Sequence, residues 1–300
     1  MSITSVSRQL GYSKQAYYKS KINQQKRNCY YAMAKQKVLA VRCQLPRLGV
    51  RKLYYLLAEE FKREHIAVGR DKLFSILREE QLLIVKKKRF TKTTDSRHWM
   101  HKYPNLIKGL QIASPEQLWV ADITWLPIKG GYCYLHLITD AYSRKIMGYE
   151  LSLNLAAAST IKALKMALKS RKYTTPLIHH SDRGLQYCSA GYIKLLNDNN
   201  IEVSMTQDGS PYDNAIAERV NGILKDEFGL DDEFENLEHA RNEVIQSIDL
   251  YNRLRPHLSN NMLTPIEMHN QNKLKPRAWH KKTARTLEGS CGFLPSLPHL

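Results

Sequence analysis

The feature that most constrains the fold is a change of pattern near residue 117, where helical periodicity gives way to short apolar runs. Upstream, apolar residues recur every three to four positions, and downstream five strands are predicted between helices. The predicted strands span 118–126, 132–139, 145–151, 176–180 and 201–205, with helices over 156–170, over 190–197 and from 214 onward. This order predicts a mixed sheet that starts as an antiparallel meander and continues through helical crossovers to parallel strands.

Three strands in a row, followed by helix–strand alternation, are the ribonuclease-H-like order of elements. The predicted fold class is therefore α/β with a mixed five-stranded sheet, preceded by an α-helical region. Two pairs of short helices are predicted in that region. In the first pair, Ser13 is expected to cap a helix after a turn at Gly11, which outlines a helix-turn-helix, although a plain helical hairpin explains the same pattern. In the second pair the chain turns near Gly69, and Asp71 is the expected cap.

Charge is distributed very unevenly along the 300 residues, which carry a net +18. Residues 1–110 hold 25 basic and 7 acidic side chains, whereas residues 111–300 hold 21 of each, so the first third carries the whole excess. Such a concentrated positive field indicates a polyanionic partner, either nucleic acid or an anionic membrane. The basic stretch over 86–108 is suited to lie along a phosphate backbone, and a solvated tether is the alternative.

Several protein classes are excluded by what the sequence lacks. It has no apolar run near the ~20 residues that span a bilayer, and no signal peptide follows Met1. The cysteines are odd in number, widely spaced and without a C-x-x-C pair, so neither a disulfide framework nor a zinc site is indicated. We therefore expect a soluble protein of a reducing, cytoplasmic compartment, which favours nucleic acid over membrane.

Three carboxylates stand out by their positions. Asp122 interrupts an apolar strand, Asp182 directly follows the fourth strand, and Glu218 lies on the helix that begins near 214, with 35 residues between the last two. Ligands collect at the carboxyl ends of strands in α/β sheets, and acids that converge there repel one another unless a cation offsets them. Mg²⁺ prefers oxygen ligands, and two such ions can activate an attacking oxygen and stabilise a departing one. Together with the basic region, this predicts metal-dependent chemistry on nucleic acid.

Each acid also has a plainer reading, because a single Asp at a strand end is more often a cap or turn residue. We interpret Asp140 as a turn acid and Asp213 as the cap of the helix that carries Glu218. His179 and His180 could be ligands, but packing or orienting roles explain them better.

The stretches around the three acids resemble the three signature blocks of the DDE-type insertion-sequence transposases of the IS-three type, specifically their integrase-core (OrfB) protein. The resemblance covers nearly the whole chain, with the family's 35-residue gap between the second and third acids. The matching blocks are Trp119–Thr124, His180–Gly184 with Gln186 and Tyr187, Gly209–Glu218, Tyr251–Asn252, Arg255–His257, Thr264–Pro265 and, upstream, Arg47–Leu53.

By this resemblance, Asp122, Asp182 and Glu218 are the catalytic acids and hold two Mg²⁺ or Mn²⁺ ions. Water attacks at a transposon end to free a 3′-OH, which then attacks another phosphodiester without a covalent enzyme intermediate. Lys225, two helical turns after Glu218, matches the family's basic residue near the scissile phosphate. The residues expected to contact DNA are Lys225, Arg183, Arg51, Lys52, Lys86, Lys87, Lys88 and Arg89.

The resemblance also implies partners and a domain division. The expected partners are double-stranded DNA, as terminal inverted repeats and target, further copies of the chain in a synaptic complex, and an upstream protein with a helix-turn-helix and leucine zipper. The resemblance also implies that the protein is associated with the nucleoid and does not contact a membrane. The expected segments are a helical DNA-binding region (1–85), a basic linker (86–112), a ribonuclease-H-like integrase catalytic core (113–272) and a basic C-terminal tail (273–300).

Two other functions remain open at this stage: a ribonuclease-H-like nuclease without strand transfer, and a DNA-binding protein whose catalytic core is inactive. The chain also departs from the family after Glu218, where Arg219–Gly222 replaces the more usual Ser or aromatic residues. Gly222 inside a helix costs ~1 kcal/mol relative to Ala. We interpret it as room for DNA to approach.

Overall fold

A five-stranded mixed sheet forms the centre of the molecule. The structure is a computed structural model that describes residues 3–85, 100–207 and 214–276. The sheet order is β3-β2-β1-β4-β5, with β1, β2 and β3 antiparallel and with β4 and β5 parallel to β1. This confirms the predicted fold class. The strands are β1 (Leu118–Ile128), β2 (Gly131–Asp140), β3 (Ile146–Ser152), β4 (Leu177–Ser181) and β5 (Ile201–Met205).

The central strand β1 has two differently paired halves. Its first residues pair with β4 from Leu118 to Val120, whereas its pairing with β2 runs from Trp119 to Ile128. The β1–β2 hairpin closes at Gly130, whose φ of +81° is a conformation that glycine adopts without strain. Beyond Val120, β1 pairs with β2 and, among the described residues, makes one isolated parallel bridge on its other side, between Ile128 and Phe234.

Helices cover both faces of the sheet. On one face, α5 (Ala157–Ser170) and α6 (Ala190–Asp198) pack over a cluster that includes Trp119, Ala121 and Ile138. The opposite face, with Leu126, Leu135 and Leu137, packs on α7 (Ala215–Glu227) and α8 (Leu237–Arg253). A short 3₁₀ turn (Leu258–Asn260) and α9 (Pro265–His269) complete the described part of the core.

Four helices precede the sheet in the described part of the chain, and two details differ from the sequence prediction. They are α1 (Ile3–Gln9), α2 (Lys14–Gln44), α3 (Val50–Arg63) and α4 (Arg70–Glu79). Ser13 caps α2 as expected and accepts a hydrogen bond from Ala16 N at 3.0 Å.

The prediction that α2 would be short is wrong, because no Gly or Pro interrupts residues 14–44 and the helix continues for 31 residues. The prediction that Asp71 caps α4 is also wrong. Gly69 holds the cap position with an extended backbone, and Asp71 lies in the first turn, where it pairs with Arg70 at 2.8 Å.

The predicted linker 86–112 is described from residue 100 onward. Pro104 O accepts a hydrogen bond from Met205 N at 3.2 Å, and Leu106 N donates to Ser204 Oγ at 2.9 Å. Ile107 and Leu110 pack against buried residues of the sheet. This part of the segment therefore lies against the sheet, while Lys86, Lys87, Lys88 and Arg89 lie outside the described residues.

A buried ion-pair network joins the helical region to the core. Arg255, which is 1% exposed, donates from Nε and Nη2 to the two carboxylate oxygens of Glu227 at 2.8 and 2.6 Å. Lys52 Nζ on α3 lies 3.3 Å from the same carboxylate at the end of α7. Burial, and then the charge of Arg255, lowers the pKa of Lys52 to about 8.

No helix in the described ranges is long and apolar enough to cross a membrane.

We expect Glu227→Gln to destabilise the protein by about 3–5 kcal/mol at neutral pH, because two buried cations lose their common partner. Burial alone would raise the pKa of Glu227, but its hydrogen bonds to Arg255 and the charges of Arg255 and Lys52 hold it below the usual value. The stabilisation is therefore complete above the ordinary glutamate pKa, and it is lost as the pH falls through the lowered folded value.

Urea unfolding of the wild type and the variant from pH 7 to pH 3 checks this expectation. The matched control is Asp249→Asn, which removes the exposed Arg253–Asp249 pair of 2.6 Å and should change the free energy of unfolding by no more than about 1 kcal/mol. A difference between wild type and Glu227→Gln that stays constant down to pH 3 would contradict the assignment.

Candidate active site

Two of the predicted acids lie side by side just beyond the end of the parallel ladder between β1 and β4. The parallel ladder ends with Val120 opposite His180, and Asp122 and Asp182 each lie two residues beyond that last pair. Parallel pairing thus brings two carboxylates to one edge of the sheet, although 59 residues separate them in the chain.

The turn after β4 holds the Asp182 carboxylate. Gly184 N donates to Asp182 Oδ1 at 3.0 Å. A Cβ on Gly184 would lie 3.0 Å from that same oxygen and 2.9 Å from Gln186 Oε1. A side chain at this position would therefore displace the Asp182 carboxylate or the Gln186 amide, which favours glycine in the Asp182-Arg183-Gly184 motif.

Asp122 is in an unfavourable environment for a charge. Its withdrawal from water, and next the negative charge of Asp182, raise its pKa to about 7, and the charge of Glu218 acts in the same direction. Asn221 on α7 opposes this effect by donating from Nδ2 to Asp122 Oδ2 at 2.7 Å. A carboxylate destabilised by like charges is a place where a cation would be stabilised.

Glu218 is exposed in the first turn of α7. The helix is anchored beside β1 by Asn214 at its start, whose Nδ2 donates to Ala121 O at 3.3 Å. Within the described residues no three carboxylate, imidazole or thiol groups are arranged to enclose a metal ion by themselves. Mg²⁺ commonly takes only one or two protein carboxylates and completes its shell with water and phosphate, so the chemistry of the Asp122–Asp182 pair fits such an ion.

The predicted DNA-binding residues are in diverse environments. Lys225 is only 9% exposed, and its Nζ lies 4.2 Å from the centroid of the Trp125 ring, within the distance of a cation–π contact. Arg183 is half-buried beside Asp182, Arg51 is exposed, and the Lys52 ammonium is paired with Glu227. None of these positions tests a DNA contact, which stays a prediction.

The plainer interpretations of three other residues are confirmed. Asp140 is fully buried, and its Oδ2 accepts hydrogen bonds from Ser143 N and Oγ at 2.8 and 2.6 Å, as a turn acid does. His179 bonds Tyr192 Oη and His180 bonds Ser204 Oγ, both at 2.8 Å, and burial lowers the pKa of His179 to about 3. Asp213, the predicted cap, lies outside the described residues.

Sequence reasoning missed two contributors to the site. The first is Asn221, which the sequence analysis treats only as part of a departure from the family. The signal that could have identified it is an amide side chain on the buried side of an amphipathic helix. The second is Glu227, whose two cationic partners lie 28 and 175 residues away. No local pattern could have indicated that network.

Comparisons with known proteins agree with this geometry. Residues 113–211 and 199–265 match two family models, each described as an integrase core domain. The 31 kDa protein of insertion element IS600 from Shigella sonnei is 37% identical over 70% of this chain and 76% of that protein. Transposase InsF for insertion sequence IS3A from Escherichia coli (strain K12) is 33% identical over 72% of this chain and 76% of that protein.

Among solved structures, the HTLV-2 integrase catalytic core domain in complex with magnesium aligns with 52% of this chain and 97% of that chain, at 19% identity and a TM-score of 0.42. The sequence relatives, with the two matched integrase-core models, decide the assignment. The chain belongs to the integrase-core transposases of IS3-type insertion sequences, enzymes that cleave and transfer DNA strands.

Proposed function

We propose that Asp122, Asp182 and Glu218 are the catalytic acids of this transposase and act with divalent metal ions, Mg²⁺ or Mn²⁺, at the ends of an insertion sequence. The observation that carries the proposal is the parallel register of β1 and β4, which places two aspartates together; burial, and then the negative charge of Asp182, raise the pKa of Asp122 to about 7. A nuclease without strand transfer and an inactive DNA-binding relic gain no support from the site.

Asp122 and Asp182 would hold the metal, and Glu218, exposed at the start of α7, would complete the set when DNA is bound. Two ions, when bound, activate the attacking oxygen and stabilise the departing one. The chain itself positions the groups. The Gly184 amide fixes one carboxylate, Asn221 fixes the other, and the buried end of α7 holds the helix that carries Glu218.

DNA is the proposed partner of the basic side chains. Arg51 is exposed on α3, Arg183 is the next residue after Asp182, and Lys225 lies two turns after Glu218 on α7. Lys52 has the weakest support, because its ammonium is already paired with Glu227. Further proposals are the terminal inverted repeats and target DNA as substrates, a homo-oligomer that joins two ends, an upstream helix-turn-helix and leucine-zipper protein as partner, and association with the nucleoid.

The catalytic assignment is tested with Asp122→Ala and Glu218→Gln. Both should abolish strand cleavage and strand transfer of labelled terminal-repeat DNA, while DNA binding is retained. Glu202→Gln, which removes an exposed acid on β5, is the matched control and should leave both reactions unchanged. Cleavage by either catalytic variant would refute the assignment, and cleavage without joining in the wild type would favour a nuclease.

Gly184→Ala should lower the cleavage rate about 10²-fold, because a methyl group at this position displaces the Asp182 carboxylate, and small misplacements of reacting groups have effects of this size. The measurement is a single-turnover cleavage assay with pre-bound DNA. Gly49→Ala is the control, since a Cβ at that position meets nothing within 4 Å. Equal rates for the two variants would show that the close approach at residue 184 is unimportant.

Gly222→Ala should stabilise the protein by about 1 kcal/mol, because the residue is inside α7 and a Cβ on it meets nothing within 4 Å. If the open side of this glycine receives DNA, the same variant should bind terminal-repeat DNA more weakly. Thermal unfolding and a binding titration measure the two effects. A more stable variant with unchanged DNA affinity would rule out the DNA-approach interpretation.

A further inference from the structure

Four polar residues follow one another along a single face of α7 and its cap. Asn214, Glu218, Asn221 and Lys225 are spaced by four, three and four positions, which places them on one side of a helix. Contacts to β1 come from three of them: Asn214 bonds Ala121 O, Asn221 bonds Asp122, and Lys225 lies over Trp125. The face that carries Glu218 is thus turned along the strand that carries Asp122.

Asn221 uses only one end of its amide. The residue is 6% exposed, its Nδ2 donates to Asp122 Oδ2 at 2.7 Å, and its Oδ1 is buried without a hydrogen-bond partner among the described residues. A buried acceptor left unpaired costs about 1–3 kcal/mol. Asn214 has a buried Oδ1 in the same condition.

Asn252 on α8 shows what a purely structural asparagine does in this fold. Its Oδ1 accepts from Ile146 N at 3.0 Å and its Nδ2 donates to Ile146 O at 3.1 Å, so both ends of the amide are satisfied. Asn221 has no such pairing. Its amide could turn over, but its oxygen would then face the Asp122 carboxylate and repel it in the ionised form.

We propose that Asn221 is a positioning residue for Asp122, and that its unpaired Oδ1 accepts a hydrogen bond from a water or hydroxyl group that enters the site with substrate. The amide donor fixes the rotation of the Asp122 carboxylate, so that its orientation toward Asp182 is set before DNA arrives. This inference rests on the proposed function, since it presumes that Asp122 is a catalytic acid.

The test replaces Asn221 by Leu, which has a similar volume and no hydrogen-bonding groups, and by Ser, which restores a donor and an acceptor. Calorimetry with Mn²⁺ alone, on the full chain, should show affinity reduced 10–100-fold in Asn221→Leu, the usual effect of removing a group that orients a metal ligand. Single-turnover cleavage should slow by a comparable factor, while the Kd for terminal-repeat DNA stays unchanged. Asn221→Ser should recover part of both losses.

Asn242→Leu, on the exposed side of α8, is the matched control and should leave Mn²⁺ affinity and cleavage rate at wild-type values. If folded Asn221→Leu keeps its Mn²⁺ affinity and cleavage rate within twofold of wild type, the inference is wrong. If Asn221→Leu does not fold, Asn221→Ala, which also lacks the amide donor, decides: wild-type behaviour of that variant in both assays overturns the inference. Failure of the proposed function is distinguishable, because Asp122→Ala would then cleave DNA.

Discussion

The rest of the structure depends on the parallel pairing of two strands that are distant in the chain. Because β1 and β4 are in register from Leu118 to Val120, two acids that follow them must lie next to each other. The repulsion between these two neighbouring carboxylates opposes folding. The unfavourable pair lies where the ladder ends, at a position that solvent, a cation or phosphate can reach. The pair of acids is therefore a local destabilisation that the surrounding sheet and helices hold in place.

The blocks near the end of the chain that resemble the family's signature fasten the surrounding helices to the sheet. Asn252 binds both backbone groups of Ile146 on β3, and Arg255 holds the carboxylate at the end of α7. Thr264 begins α9 with a capping box that includes Glu267. The resemblance at these residues therefore reflects how α7 and α8 are fastened to the sheet, and the orientation of α7 in turn determines where Glu218 can lie.

Elements with a strong period were predictable, and contacts across the chain were not. The five strands and α5 to α7 lie within a few residues of their predicted bounds, because alternation and amphipathic spacing reflect burial directly. The acids were identifiable because a charge in or directly after an apolar strand is unfavourable unless a cation or another partner offsets it. Asn221 and Glu227 were missed because their roles depend on partners up to 175 residues away in the chain. The length of α2 was underestimated because the absence of Gly and Pro does not by itself mark where a helix continues.

The length of α2 has a geometric consequence. At about 1.5 Å per residue a helix of this size is about 46 Å long, more than the roughly 34 Å of one duplex turn. Only its second half packs into the helical cluster beside the core, through Ala34 and Val38. Residues 14–29 are exposed, so about 24 Å of this helix lies outside that cluster and is open to a binding partner.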